Sequence, residues 1–174
     1  PQDRATEMGP LATQRQRSHI EAVVKASIEA GAKLVTGGDA PGGAGFYYRP
    51  TILDCSGTEA SAISTELFGP VLAVLDFETE EQAVRLANAT PYGLASGVFT
   101  CNLSRAHRMS RDIHAGVVWI NTYRVAAPQL PFGGMKDSGY GRVRGAAGLL
   151  EWTQTKTVFI DYSGDKRDPF AMKF

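Results

Sequence analysis

Apolar residues recur along this chain with two periods, and the switches between them mark out the elements. Over residues 11–30 the period is helical, with Ile20, Val23, Val24 and Ile28 on one stripe. Thr13 and Gln16 form a capping box ahead of it, each side chain suited to a free backbone N–H of the first turn. Gly31 stands where a left-handed residue commonly ends a helix. Residues 33–36 read as a short strand stopping at Gly37-Gly38. A turn-rich loop over 39–45 then leads into a strand over 46–53.

The next block alternates. Residues 71–77 are apolar and β-branched, a buried strand. Thr79-Glu80-Glu81-Gln82 repeats the capping box before a helix that turns Ala83, Leu86 and Ala87 inward. Pro91-Tyr92-Gly93 breaks that helix, and 96–100 is another strand. Asn102 caps a helix with Leu103, Ala106, Met109 and Ile113 on one face, ended by Gly116, and 117–120 is a fourth apolar strand. Strand, helix, strand, helix, strand at these spacings predicts βαβ units, hence an α/β fold with a parallel sheet. A glycine-rich loop over 131–141, a short helix over 144–153 and a last strand over 155–161 follow. The tail 162–174 is polar, with Phe170 and Phe174 near its end. The expected division is an α/β body over 1–154 and a terminal arm over 155–174.

Composition narrows the function. A chain of 174 residues holds one domain with a sizeable core. Eighteen Lys and Arg cancel eighteen Asp and Glu, so the positive excess of a nucleic-acid or membrane-surface binder is missing. No apolar run is long enough to span a bilayer. Cys55 and Cys101 have no CxxC spacing, which speaks against a disulfide scaffold or zinc ribbon and for a reducing compartment, the cytoplasm. The chain opens at Pro1 without an initiator Met or signal-like segment, so the expectation is part of a longer protein.

Two stretches are candidates for chemistry. Glu66-Leu67-Phe68-Gly69-Pro70 precedes a buried strand, at the kind of strand end where α/β proteins bind ligands. A carboxylate there accepts two hydrogen bonds from a vicinal diol, and Phe68 offers a flat face to a ring; equally, this is a turn set by Gly-Pro with Phe68 in the core. Asn121-Thr122-Tyr123 leaves the fourth strand, and Pro131-Phe132-Gly133-Gly134 follows about ten residues on. Those residues either line a site or serve the loop, with Asn121 satisfying backbone groups and Phe132 plugging the core. Gly139-Tyr140-Gly141 is not a dinucleotide fingerprint, because Arg144 occupies the place of its third glycine. His19, His107 and His114 fall on predicted helices without ligand-spaced partners, so no metal site is expected. Cys55 and Cys101 read as ordinary buried thiols.

Taken together, the motifs Met8-Gly9-Pro10-Leu11, ELFGPV (66–71), Thr90-Pro91-Tyr92-Gly93-Leu94-Ala95, GVVWINTY (116–123), PFGGMK (131–136), Ser138-Gly139 with Gly141-Arg142, and Thr155-Lys156-Thr157-Val158 resemble the aldehyde dehydrogenase superfamily. They stand in family order from about residue 3 to 160. The resemblance implies NAD(P)-dependent oxidation of an aldehyde to an acid through a cysteine thiohemiacetal. It also implies that nucleophile, general base and dinucleotide-binding domain lie outside this chain, which alone would be inactive. No catalytic residue is therefore assigned. Glu66 would bind the nicotinamide ribose and Phe68 would pack near the nicotinamide of NAD or NADP. Phe132 would line the aldehyde funnel, with Tyr123, Arg124 and Ala126 in a substrate-loop wall. Ala126-Ala127, where relatives often carry bulk, suggest a wider pocket, and Arg124 either favours carboxylate-bearing aldehydes or makes a subunit-interface ion pair. Residues 155–161 would join a neighbouring subunit's sheet in a homodimer or homotetramer. A non-catalytic assembly module using that strand is the other class of function, and an acylating or semialdehyde-specific relative a third.

Overall fold

The computed structural model describes residues 3–164. Helix α1 (Gln14–Glu29) starts as its capping box requires: the Gln16 N–H donates to Thr13 Oγ1 at 3.2 Å, and Gln16 Oε1 accepts from the Ala12 N–H. Thr13 and Ala30 are its caps, so Leu11, Ala12, Thr13 and Ala30 of the expected helical segment lie outside it. Ile20 and Val24 are fully buried, while Ile28, on the same stripe, is half out in solvent. Gly31, at φ 103°, turns the chain.

Strands β1 (Lys33–Thr36), β2 (Thr51–Asp54) and β3 (Val71–Val74) form one sheet in that order, β1 antiparallel and β3 parallel to β2. The strand expected over 46–53 is shorter because Pro50 has no N–H for a ladder. The 71–77 strand stops at Val74, whose carbonyl accepts from Cys55 N–H just as β2 ends. Against this sheet Ile20, Val24, Leu53, Cys55, Tyr48 and Leu67 form the main core. Full burial of such side chains contributes roughly 1.5–3 kcal/mol each.

Helix α2 (Glu80–Asn88) repeats the cap, Gln82 N–H donating to Thr79 Oγ1 at 3.2 Å and Gln82 Oε1 accepting from Glu78 N–H at 2.9 Å. Strands β4 (Tyr92–Gly93) and β5 (Ala95–Val98) come next. Helix α3 (Leu103–Asp112) is capped by Asn102 Oδ1, and β6 (Val117–Ile120) pairs in parallel with β5, completing a βαβ unit. Val98, Ile113 and Ala115 make the second core. Leu103, expected on the apolar face of α3, is instead 73% exposed, because it sits in the first turn beyond the reach of that core. Glu80 ties α2 to α3, accepting from Arg108 Nε at 2.7 Å, Arg108 Nη2 at 2.8 Å and Arg105 Nε at 3.1 Å.

The break after Pro91 is also a strand: β4 pairs antiparallel with β7 (Met135–Lys136), inside the stretch expected to be loop. Helix α4 (Gly145–Leu150) lies within the expected 144–153 segment. Residues 155–161, expected as a strand, form no ladder among the described residues, and Phe159 is 94% exposed. Phe170, Phe174 and the rest of the tail from 165 lie outside the described residues. The chain exposes 13442 Å², against about 8,300 Å² for a compact chain of this mass. The excess is carried in part by apolar residues on β3 and the loops beyond it, including Leu72, Val74, Phe77 and Phe99.

Candidate active site

Five non-glycine residues among those described hold positive φ: Phe68 (51°), Asn121 (54°), Arg124 (59°), Lys136 (54°) and Arg144 (67°). Phe68, Asn121 and Arg124 fall in or beside the two stretches singled out for chemistry, and Lys136 and Arg144 follow the second. Such conformations cost of order 1–3 kcal/mol each and persist only where the surroundings impose them, as at binding sites.

The 66–70 loop is held from below. Gln16 Nε2 donates to the Phe68 carbonyl, so the residue that caps α1 also clamps the strained turn. A Cβ on Gly69 would meet Ile20 Cδ1 at 2.3 Å, which puts the loop hard against the core. Leu67 is buried there, and Phe68 is 81% exposed. The alternative that Phe68 is a core residue is thereby corrected: the left-handed backbone at 68 turns successive side chains in opposite senses, and Leu67 is the one that goes in. Glu66 is exposed and has no ion pair or hydrogen bond among the described residues. With Thr65 it edges a cavity of about 450 Å³, whose other walls come from Tyr92, Leu94, His114 and Ser138. Ser138 Oγ accepts from Gly93 N–H at 3.1 Å, and Lys136 Nζ donates to the Asn88 and Thr90 carbonyls, so the glycine-rich loop braces this cavity.

A second cavity, about 380 Å³, lies under the 121–132 loop and is lined by Trp119, Thr122, Ala126, Ala127, Phe132 and Arg144 among others. Trp119 Nε1 donates to the Val125 carbonyl at 2.8 Å, and the Tyr123 ring stands edge-on to Trp119 at 5.3 Å. Asn121 serves the backbone, as one of its two readings required: Oδ1 accepts from Thr100 N–H at 2.8 Å and Nδ2 donates to Thr100 O at 2.9 Å. Phe132 is bridged to Val143 by paired backbone bonds of 2.8 Å. Arg142 Nη1 donates to Gly134 O at 2.7 Å and Gly141 O at 2.9 Å, which fixes the loop's return.

The structure thus brings Phe132 and Ala126 into one cavity and puts Glu66 on another. Phe68 and Tyr123 project to solvent, and Arg124 is exposed and lines neither cavity. Gln16, Ser138 and Arg144 were missed as site residues. Gln16 was legible only as a cap, and the other two meet their neighbours through long-range folding. Cys55 is fully buried, and desolvation first, then the Asp54 charge, pushes its thiol pKa up, away from nucleophilic thiolate character. Cys101 is exposed beside the Asn102 cap. No group of three metal-ligating side chains occurs among the described residues.

Residues 1–158 match the aldehyde dehydrogenase family. The chain is 58% identical over 175 residues to (Z)-2-((N-methylformamido)methylene)-5-hydroxybutyrolactone dehydrogenase from Acinetobacter baylyi, covering 99% of this chain and 36% of that protein. To the betaine aldehyde dehydrogenase of Sinorhizobium fredii it is 43% identical, covering 92% of this chain and 34% of the other. The crystal structure of an NAD-dependent aldehyde dehydrogenase from Sinorhizobium meliloti superposes with a TM-score of 0.88 at 38% identity, over 97% of this chain and 34% of that one. This chain therefore spans about a third of the length of these relatives. With matched motifs, matched fold and a family model covering nearly its whole length, the chain belongs to the aldehyde dehydrogenase family.

Proposed function

We propose that this chain forms the ribose-clasping and aldehyde-facing part of an NAD-dependent aldehyde dehydrogenase. That enzyme oxidises an aldehyde to a carboxylic acid through a thiohemiacetal on a cysteine outside these residues. The observation that carries the reading is Glu66: an exposed carboxylate without a partner among the described residues, at a cavity edge, on a loop whose backbone is strained at its neighbour. An ion-paired, inward carboxylate would have argued the opposite.

These residues fit one end of a dinucleotide. Glu66 can accept from both hydroxyls of a ribose, Phe68 presents an uncovered ring two residues away, and a glycine cradle for the phosphates is broken at Arg144. When bound, NAD accepts the hydride released from the aldehyde carbon. Glu66 and Phe68 orient the ring and make no bonds to the reacting atoms. Phe132, Ala126 and the 123–127 loop shape the aldehyde side. An enzyme in the cytoplasm accords with two cysteines that form no disulfide. Residues 155–161, with Val158, Phe159 and Ile160 exposed, would pair with a neighbouring subunit's sheet to make a homodimer or homotetramer.

The exposed arm alone also favours a second reading, a non-catalytic assembly module. Reading the gene upstream of Pro1 for a cysteine-bearing segment separates the two. In the full-length enzyme, Glu66→Gln keeps the shape and removes the charge that the ribose hydroxyls need. A loss of about 10- to 100-fold in kcat/KM for NAD is expected. Unchanged kinetics toward NAD would remove the clasp.

A further inference from the structure

Three arginines lie in the 121–144 segment, and the fold gives them different surroundings. Arg124 is exposed and lines no cavity. Arg142 is engaged with backbone carbonyls of the glycine-rich loop. Arg144, exposed as well, lines the second cavity, and its guanidinium carbon sits 5.7 Å from the centroid of the Phe132 ring. No carboxylate among the described residues pairs with it. Ala126 and Ala127 leave room before it, and Phe132 and Trp119 supply apolar walls.

The geometry points to Arg144 as the specificity-determining residue of the aldehyde cavity, selecting aldehydes that carry a carboxylate at the far end and rejecting those that carry a quaternary ammonium. The inference rests on the second cavity being the aldehyde side, as proposed above. A guanidinium offers a planar fork of donors that matches a carboxylate with two parallel bonds. A trimethylammonium group needs the reverse: an aromatic face free to hold the cation. Here the guanidinium lies over the Phe132 ring, and the alanines at 126 and 127 supply no second ring. A cationic substrate would meet a like charge at close range.

The test uses the full-length enzyme with NAD and three aldehydes: succinic semialdehyde, betaine aldehyde and neutral pentanal. For Arg144→Met, kcat/KM for succinic semialdehyde relative to pentanal falls about ten-fold or more, the loss of one charge-assisted pair. For Arg144→Glu the preference inverts, with betaine aldehyde gaining over pentanal. That gain cannot come from damaged folding, because misfolding lowers all three rates together. If the three relative rates stay within about threefold across Arg, Met and Glu at position 144, where a tenfold change is 1.4 kcal/mol, the assignment of Arg144 is overturned and the aldehyde reading stands. If the unsubstituted enzyme oxidises none of the three, the aldehyde reading itself fails and this assignment goes with it.

Discussion

Single residues do two kinds of work here, and Glu80 shows the structural kind most sharply. Its carboxylate takes three bonds from Arg108 and Arg105, and the Arg108 bond foremost drops its pKa from an ordinary 4.5 to about 2. The folded pKa is depressed, so the unfolded chain binds the proton more readily. The α2–α3 tie is therefore at full strength above pH 4.5 and is lost as the pH falls toward 2. Thermal unfolding between pH 5 and 2 should show a steeper loss of Tm for the natural chain than for Glu80→Gln; parallel curves would refute the tie. Nothing in the 79–82 motif announces this role, because the two arginines stand 25 and 28 residues downstream. Glu66, by contrast, stands out in its own pentapeptide as one of two readings, and the fold leaves it exposed without a partner among the described residues.

Elements were legible in proportion to how local their determinants are. All three long helices begin at the cap residues read from the sequence, since a cap is completed within four residues. Strands were read too long at 46–53 and 71–77, because a ladder extends only as far as its neighbour does. The β4–β7 pair was invisible: two residues of each strand carry no periodicity, and more than forty positions separate them. The loop that leads into β7 packs tightly against the chain at Gly116, where a Cβ would overlap the Gly133 carbonyl oxygen. Gly116→Ala must therefore push the glycine-rich loop away from β6, at a cost of at least about 2 kcal/mol. The measurement is denaturant unfolding together with amide exchange at residues 132–136. A change of less than about 0.5 kcal/mol would mean the loop yields freely.

At the scale of the whole molecule the surface is the main fact. Thirteen thousand four hundred and forty-two square ångströms is far more than 174 residues need when compact. Leu72, Val74, Phe77, Phe99 and Phe159 are among the apolar side chains on it. Large exposed apolar side chains in such number are commonly covered in a working protein. The 174-residue chain by itself is expected to bind a hydrophobic dye and to self-associate in sedimentation, with removal of residues 155–174 lessening the association. A dye-silent, monodisperse monomer would contradict this. Sequence by itself determined the α/β order, the helix starts, the apolar stripe of α1 and the candidate loop around Glu66. Each of these is written in contacts a few residues long, or in a motif read as one unit. Tertiary structure alone decided that Ile28 and Leu103 stay wet, that Gln16 clamps the Phe68 turn, and that Arg144 rather than Arg124 lines the cavity with Phe132. Those outcomes depend on which side chains meet once distant segments exclude water between them, and no short window of the chain contains both partners.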